Sequence, residues 1–175
     1  MNSIVENLKE IASSLPEGVK LVAVSKTKPV EAIVEAYEAG QRVFGENRVQ
    51  ELAEKYEVLP KDIEWHMIGH LQTNKVKYMA AFVSLIHGVE SLKLLETIDK
   101  EGKKHDRVIP CLLQFYIASE ETKFGLDMEE AKALLESADY KNMKNVKIVG
   151  VMGMATNTDD EVQVRREFHH LKEIF

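Results

Sequence analysis

The chain has 175 residues, of which 45% are hydrophobic and 30% charged, and its formal net charge is −6. This length and balance are typical of one globular domain with a sizeable core. The negative charge argues against binding to a nucleic-acid backbone, because phosphates attract Lys and Arg that are free of acidic neighbours. A small anionic ligand needs only a local positive pocket. Cys111 is the single cysteine, so neither an internal disulfide nor a zinc thiolate site can form.

The N-terminal segment MNSIVENLKE mixes acids with apolar residues and lacks the apolar core of a signal peptide. No apolar run elsewhere approaches the length of about 20 residues that a membrane-spanning helix needs. We therefore expect a cytoplasmic protein without a membrane partner.

A helix is predicted at about residues 2–15, because Ile4, Leu8, Ile11 and Leu15 share one face before Pro16. Short apolar runs then alternate with helical patterns along the rest of the chain. The runs predict strands at residues 21–25, 42–45, 64–68, 82–87, 108–117 and 146–152. Such alternation with fully apolar strands indicates a parallel sheet covered by helices on its outer face.

Polar segments follow all six predicted strands, and they favour a closed (β/α) TIM-type barrel over an open sheet. In a barrel the carboxyl ends of all strands converge on one mouth, whereas an open sheet concentrates its chemistry at one switch point. The segments are SKTKP, GENR, HMIGHLQTNK, HGVES, ASEETKFG and GMATNTDD. A complete barrel needs eight βα units and about 200–250 residues. Six units are present, so residues 1–175 are expected to form a single incomplete barrel domain.

Lys26 is predicted to end the first strand, in LVAVSKTKP, where apolar walls would bury it. Burial lowers the pKa of a lysine and leaves a neutral amine that can attack an aldehyde. A salt-bridged or snorkelling lysine is the alternative interpretation. Lys28 is the rival nucleophile, but Pro29 suits the first helical position, which puts Lys28 at the cap on the loop.

Asn47 follows the second predicted strand, and His66 lies on the third. Asn47 can present its amide to a ring oxygen, or it can cap the next helix. His66 and His70 are four residues apart, but His66 is predicted on a strand and His70 on a loop, which argues against a metal pair. Buried polar groups that satisfy the loop backbone are the alternative.

Three later segments complete the set of candidate residues. His87 ends the fourth strand. It is either a core histidine whose hydrogen bonds are satisfied or a residue of the functional site. Met154 can pack on a flat ring or belong to the core. Residues 120–123 can hold an ion pair near the mouth or form a solvated loop.

Together these motifs make the sequence resemble the YggS/PROSC family, also called pyridoxal phosphate homeostasis proteins. Five elements match in order along nearly the whole chain: VSKTKP at 24–29, FGENRVQE at 44–51, WHMIGHLQTNK at 65–75, the segment 114–125 ending in EETKFG, and GVMGMAT at 150–156. The pattern WHxIGxLQxNK is highly specific.

The resemblance implies the fold of the N-terminal barrel of alanine racemase and pyridoxal 5′-phosphate held as a Schiff base on Lys26. It implies a protein of cofactor homeostasis and delivery rather than robust catalysis, with PLP-dependent apoenzymes as transient recipients. The expected cofactor contacts are Lys26, Asn47, His66, His87 and Met154, with Asn47 near the ring. Two alternatives remain: a racemase-like enzyme that uses Lys26 as base, and a fragment that does not bind. The family's phosphate-holding motifs, MGMS and TxVRIG, do not occur in these 175 residues, so no residue here is assigned to the phosphate.

Overall fold

Six strands and seven α-helices alternate in the computed structural model, which describes residues 3–118 and 124–175. The strands are β1 (Ala23–Val24), β2 (Val43–Glu46), β3 (Glu64–Met67), β4 (Leu85–Val89), β5 (Ile109–Phe115) and β6 (Val146–Gly153). The helices are α1 (Ile4–Ser14), α2 (Val30–Glu38), α3 (Val49–Val58), α4 (Leu92–Lys104), α5 (Met128–Glu136), α6 (Ala138–Asn142) and α7 (Glu161–Ile174), with a 3-10 helix at Thr73–Tyr78. Residues 120–123, for which an ion pair or a solvated loop was expected, lie outside the described residues.

All strand pairs are parallel, and the strand order in the sheet follows the order in the sequence. The predicted six-stranded parallel sheet is therefore confirmed. Within the described residues, β1 pairs with β2 alone and β6 with β5 alone, so the sheet is not closed.

Several predicted boundaries differ from the structure for local reasons. The strand predicted at 21–25 is only Ala23–Val24, an edge strand that pairs with two of the four residues of β2, Phe44 and Gly45. Phe82 precedes its strand, because its N–H donates to Met79 O in the turn that ends the 3-10 helix. Ser137 separates two helices, since it ends α5 and caps α6 by accepting from Tyr140 N–H.

The core lies between the sheet and its helices. Alternate strand residues such as Phe44, Trp65, Ile86 and Cys111 are almost fully buried there, and the rings of Phe44 and Trp65 lie 6.0 Å apart. Burying one such side chain contributes about 1.5–3 kcal/mol. Burial also raises the pKa of the Cys111 thiol to about 12, as expected of an inert core cysteine.

The opposite face of the sheet is more open. Val22 and Gly45 meet on this face, since a Cβ on Gly45 would lie 3.1 Å from Val22 Cγ1. Val24 is paired with Gly45 and is 51% exposed. We call this surface the inner face. Among the described helices, none is both long and apolar enough to cross a membrane.

Candidate functional site

The five predicted site residues all lie at the carboxyl ends of strands. Lys26 follows β1, Asn47 follows β2 directly, and Met154 follows β6 directly. His66 and His87 lie within the last three residues of β3 and β4. Because every strand pair is parallel, these ends share one edge of the sheet.

Lys26 is exposed and lies in a turn, which corrects the expectation of a buried residue on the strand. The β1 ladder ends at the pair of Val24 and Gly45, so Lys26 projects beyond the apolar walls that would have covered it. The argument from burial does not apply to this lysine. Lys28 is also exposed, and its N–H donates to Ser25 O at 3.0 Å, which closes the turn. Pro29 is the N-cap of α2 and not its first helical residue.

Residues on both sides of Lys26 are held by a buried ion-pair cluster. Lys55 of α3 is 6% exposed, and its Nζ donates to Glu46 Oε1 at 2.6 Å and to Ser25 O at 2.7 Å. The Ser25 hydroxyl also donates to Glu46 Oε1, at 2.6 Å. Glu46 is fully buried. The carbonyl and the hydroxyl of Ser25 are thus both fixed immediately before Lys26.

The residue after Lys26 is fixed from the same cluster. Lys55 Nζ donates to Glu51 Oε1 at 2.7 Å, and the same oxygen accepts the Thr27 N–H at 2.7 Å. The hydrogen bond from Lys55 is the main reason that the pKa of Glu51 is lowered. Thr27 has φ of 63°, a left-handed conformation that β-branched residues rarely adopt. Ser25, Glu46, Glu51 and Lys55 are called the Lys55 network below.

Sequence reasoning missed the Lys55 network, although a signal for it is present. Glu46 ends an otherwise apolar strand in VFGE, and a buried carboxylate requires a partner. Glu51 and Lys55 stand four residues apart, a spacing that predicts an ion pair on one helix face. The sequence does not reveal that this face turns inward over the ends of β1 and β2.

His66 and His87 form a hydrogen-bonded pair on the next two strands. His87 Nε2 lies 3.0 Å from His66 Nδ1, and the two rings are tilted by 54°. Burial, with a smaller contribution from His87, lowers the pKa of His66 to about 4. Burial also lowers the pKa of His87. Both imidazoles are therefore neutral at physiological pH, and one ring donates its N–H to the other.

Asn47 lies against the following strand-end loop and does not cap α3. The N-cap of α3 is Arg48, whose side chain makes no capping hydrogen bond. A Cβ on Gly69 would lie only 2.4 Å from Asn47 O, and a Cβ on Gly88 only 3.1 Å from Gly69 O. The backbone after β2 therefore touches the loop after β3, which in turn approaches β4 at Gly88, and at Gly69 only glycine permits that approach.

Met154 lies apart from the rest of the set. It is 44% exposed and follows β6, so four strands separate its end of the sheet from β1 and Lys26. The structure therefore brings His66 and His87 together and sets Asn47 against the next loop, but leaves Met154 at the far edge. Its role as a cofactor contact stays a prediction.

Comparison with known proteins decides the family. Residues 1–175 match the domain family described as alanine racemase, N-terminal domain. A pyridoxal phosphate homeostasis protein of Aquifex aeolicus is 38% identical over 178 residues, which cover 99% of this chain and 77% of the relative. Another, of Vibrio alginolyticus, is 34% identical over 186 residues, covering 98% and 79%. The chain belongs to the pyridoxal phosphate homeostasis protein family.

Solved structures agree with this membership of the homeostasis family. PipY of Synechococcus elongatus without PLP has a TM-score of 0.89 at 36% identity, with 98% of this chain and 80% of PipY covered. PipY with PLP bound has a TM-score of 0.86 at 35% identity, with 98% and 79% covered. Alanine racemase from E. faecalis has a TM-score of 0.77 at 17% identity, covering 99% of this chain and 48% of the racemase. The predicted alanine-racemase-type fold is confirmed.

Proposed function

We propose that this chain binds pyridoxal 5′-phosphate through Lys26 and acts in the homeostasis and delivery of that cofactor. The observation that carries the proposal is an exposed lysine at the carboxyl edge of a parallel sheet, in a turn fixed on both sides. The relative PipY, 35% identical, has been solved with PLP bound. We further propose a cytoplasmic location and PLP-dependent apoenzymes as recipients.

The chemistry of the site fits an aromatic aldehyde. A lysine at this position would supply the amine that condenses with an aldehyde, with loss of water, so Lys26 would hold PLP covalently. Exposed Val24, on the inner face directly before the turn, offers an apolar surface to a flat ring. The neutral His66–His87 pair adds hydrogen-bonding groups at the same edge without a competing positive charge.

We assign Lys26 the covalent role and Asn47, His66, His87 and Met154 the role of contacts around the ring. No residue is assigned to the phosphate. A delivery protein needs reversible attachment at an accessible amine, and the exposure of Lys26 suits release to another protein. A racemase-like enzyme that uses Lys26 as base is the competing assignment.

Reduction and peptide mapping test the covalent role. The protein is incubated with PLP, reduced with borohydride and digested, and the labelled lysine is identified by mass spectrometry. We expect the label on Lys26, its loss in Lys26→Ala and its retention in the neighbouring control Lys28→Ala. A label on Lys28 alone would contradict the proposal.

Delivery and catalysis are separated by two assays on the loaded protein. We expect it to restore the activity of an apo-transaminase, and Lys26→Ala treated in the same way to fail. Conversion of L-alanine to D-alanine that Lys26→Ala abolishes would instead favour the racemase-like assignment.

A further inference from the structure

Lys55 joins three chain segments beneath the proposed cofactor lysine. Its ammonium group contacts the end of β1 through Ser25 O, the end of β2 through Glu46 Oε1, and its own helix through Glu51 Oε1. An ammonium group has three N–H donors, and these three acceptors use all of them. We propose that Lys55 is a positioning residue that holds the Lys26 turn, residues 25–28, in the conformation that presents Lys26 to the cofactor; this rests on the function proposed above.

Because both side chains are buried, Lys55 and Glu46 depend strongly on each other. Glu46 is fully buried, and its Oε1 receives both Lys55 Nζ and the Ser25 hydroxyl. Its Oε2 has no hydrogen-bond partner in the part of the chain that the structure describes. Without Lys55, the carboxylate would keep only the Ser25 hydroxyl. Since a buried charge needs a partner, the ends of β1 and β2 would not stay in this arrangement.

The conformation of Thr27 indicates that the turn is held by its surroundings. A β-branched residue at φ of 63° is unfavourable by itself and persists where neighbouring contacts impose it. The contact here is the Thr27 N–H donated to Glu51 Oε1, the atom that also accepts Lys55 Nζ. Lys55 therefore acts on Thr27 through Glu51 and on Ser25 directly.

Lys26 lies between these two anchored residues and makes no contact with the Lys55 network through its own side chain among the described hydrogen bonds. The network thus fixes the backbone of the turn and leaves the side chain of Lys26 free to react. Fixing a reactive group before the ligand arrives lowers the ordering cost of binding. A purely structural ion pair would stabilise α3 against the sheet without affecting the reactivity of Lys26, so the two roles predict different results.

The test compares Lys55→Met, Glu51→Ala and the double variant Glu46→Gln/Lys55→Met with the control Lys104→Met. Lys104 donates to Glu101 at 2.6 Å, as Lys55 does to Glu46, but its side chain is half exposed on α4. Three quantities are measured: resistance to denaturant, hydrogen exchange of the Thr27 and Lys28 amides without cofactor, and the rate of borohydride-trapped PLP labelling at Lys26.

We expect the two amides to exchange about 10- to 100-fold faster in Lys55→Met, as loss of hydrogen bonds to charged groups implies. Labelling at Lys26 should slow by about tenfold or more, while Lys104→Met behaves like the natural protein. The double variant removes both charges, so it should recover stability but keep fast exchange and slow labelling. Should Lys55→Met fail to fold, the double variant and Glu51→Ala, which removes the acceptor of the Thr27 N–H, decide the matter in the same way.

A folded variant without Lys55 that keeps slow exchange at Thr27 and normal labelling at Lys26 would overturn the inference. Absence of labelling at Lys26 in the natural protein would overturn the proposed function instead. In that case the exchange measurement still decides whether Lys55 holds the turn, so the two failures are distinguishable.

Discussion

His87 Nε2 lies 3.0 Å from His66 Nδ1, so two imidazoles on adjacent strands share one hydrogen bond at the carboxyl edge of the sheet. One nitrogen must donate and the other accept, so at least one of the two rings must stay neutral. Protonation of both rings would place an N–H on each side of the contact and break it. The pair is therefore sensitive to acid.

The first prediction concerns the pH dependence of folding. The pKa of His66 is about 4 in the folded protein and 6.5 in an unfolded chain. Between these values the unfolded chain binds a proton that the folded protein does not, so the stability is complete above pH 6.5 and decreases as the pH falls toward 4. We expect a loss on the order of 1–3 kcal/mol in the free energy of unfolding.

Denaturant unfolding from pH 4 to pH 7 measures this loss. His66→Gln should flatten the dependence in this range, whereas His169→Gln, on the exposed surface of α7, should leave it unchanged. Equal slopes for all three proteins would show that His66 does not carry the effect.

The second prediction concerns Arg107, which ties the end of α4 to the segment before β4. Its guanidinium donates to Ala80 O and to Val83 O, both at 2.7 Å. Arg107→Met keeps the packing of the aliphatic stem but leaves the carbonyl oxygens of two buried residues, Ala80 and Val83, without this donor. We expect the free energy of unfolding to fall by about 2–3 kcal/mol. Arg165→Met removes a long, exposed ion pair with Glu161 and should cause no measurable change in the same assay.

The third prediction concerns the close approach of Gly69 to Asn47. Gly69→Ala would place a methyl group 2.4 Å from a backbone oxygen, so the loop must move, at a cost of about 1–3 kcal/mol. Gly150→Ala is the control, because its nearest atom is the flexible Leu112 Cδ2 at 3.2 Å. Chemical denaturation compares the two, and NMR shifts of the Asn47 amide report the displaced loop. Equal stability of both variants would contradict the backbone contact.

The fourth prediction concerns the backbone of Thr27. Asparagine tolerates the left-handed region better than a β-branched residue, so Thr27→Asn should raise the free energy of unfolding by about 1 kcal/mol. Asp106 also has a positive φ, of 52°, but aspartate already tolerates this region, and Asp106→Asn should have little effect. Thermal unfolding measures both changes. A destabilised Thr27→Asn would mean that the threonine side chain makes a contribution of its own.

The sheet could be predicted from the sequence because each strand is an apolar run with a clear change of period at its end. Parallel pairing then placed Lys26, Asn47, His66, His87 and Met154 at one edge. Edge-strand length could not be predicted in this way, because an apolar run does not fix where the backbone leaves the ladder. Ala23 and Val24 of β1 pair with two of the four residues of β2, and Lys26 lies beyond that ladder.

The burial of Lys55 could not be predicted from the sequence, for a different physical reason. A lysine on a polar helix stripe is most simply placed in solvent, and only the packing of α3 over the ends of β1 and β2 buries it. His66 and His87, by contrast, lie on adjacent predicted strands, so their proximity follows from the strand order. Their tautomeric relationship depends on the 3.0 Å contact itself.

The rate at which the Cys111 thiol is modified reports how often the protein opens at β5. Cys111 is the single thiol of the sequence, it lies in the fully buried layer of β5, and its pKa of about 12 keeps it protonated and unreactive. A thiol reagent in solution can therefore modify the chain only after the sheet has separated from its helices at that strand. The modification rate therefore measures such openings without an introduced cysteine. A ligand that binds only the closed form would lower this rate in proportion to its occupancy.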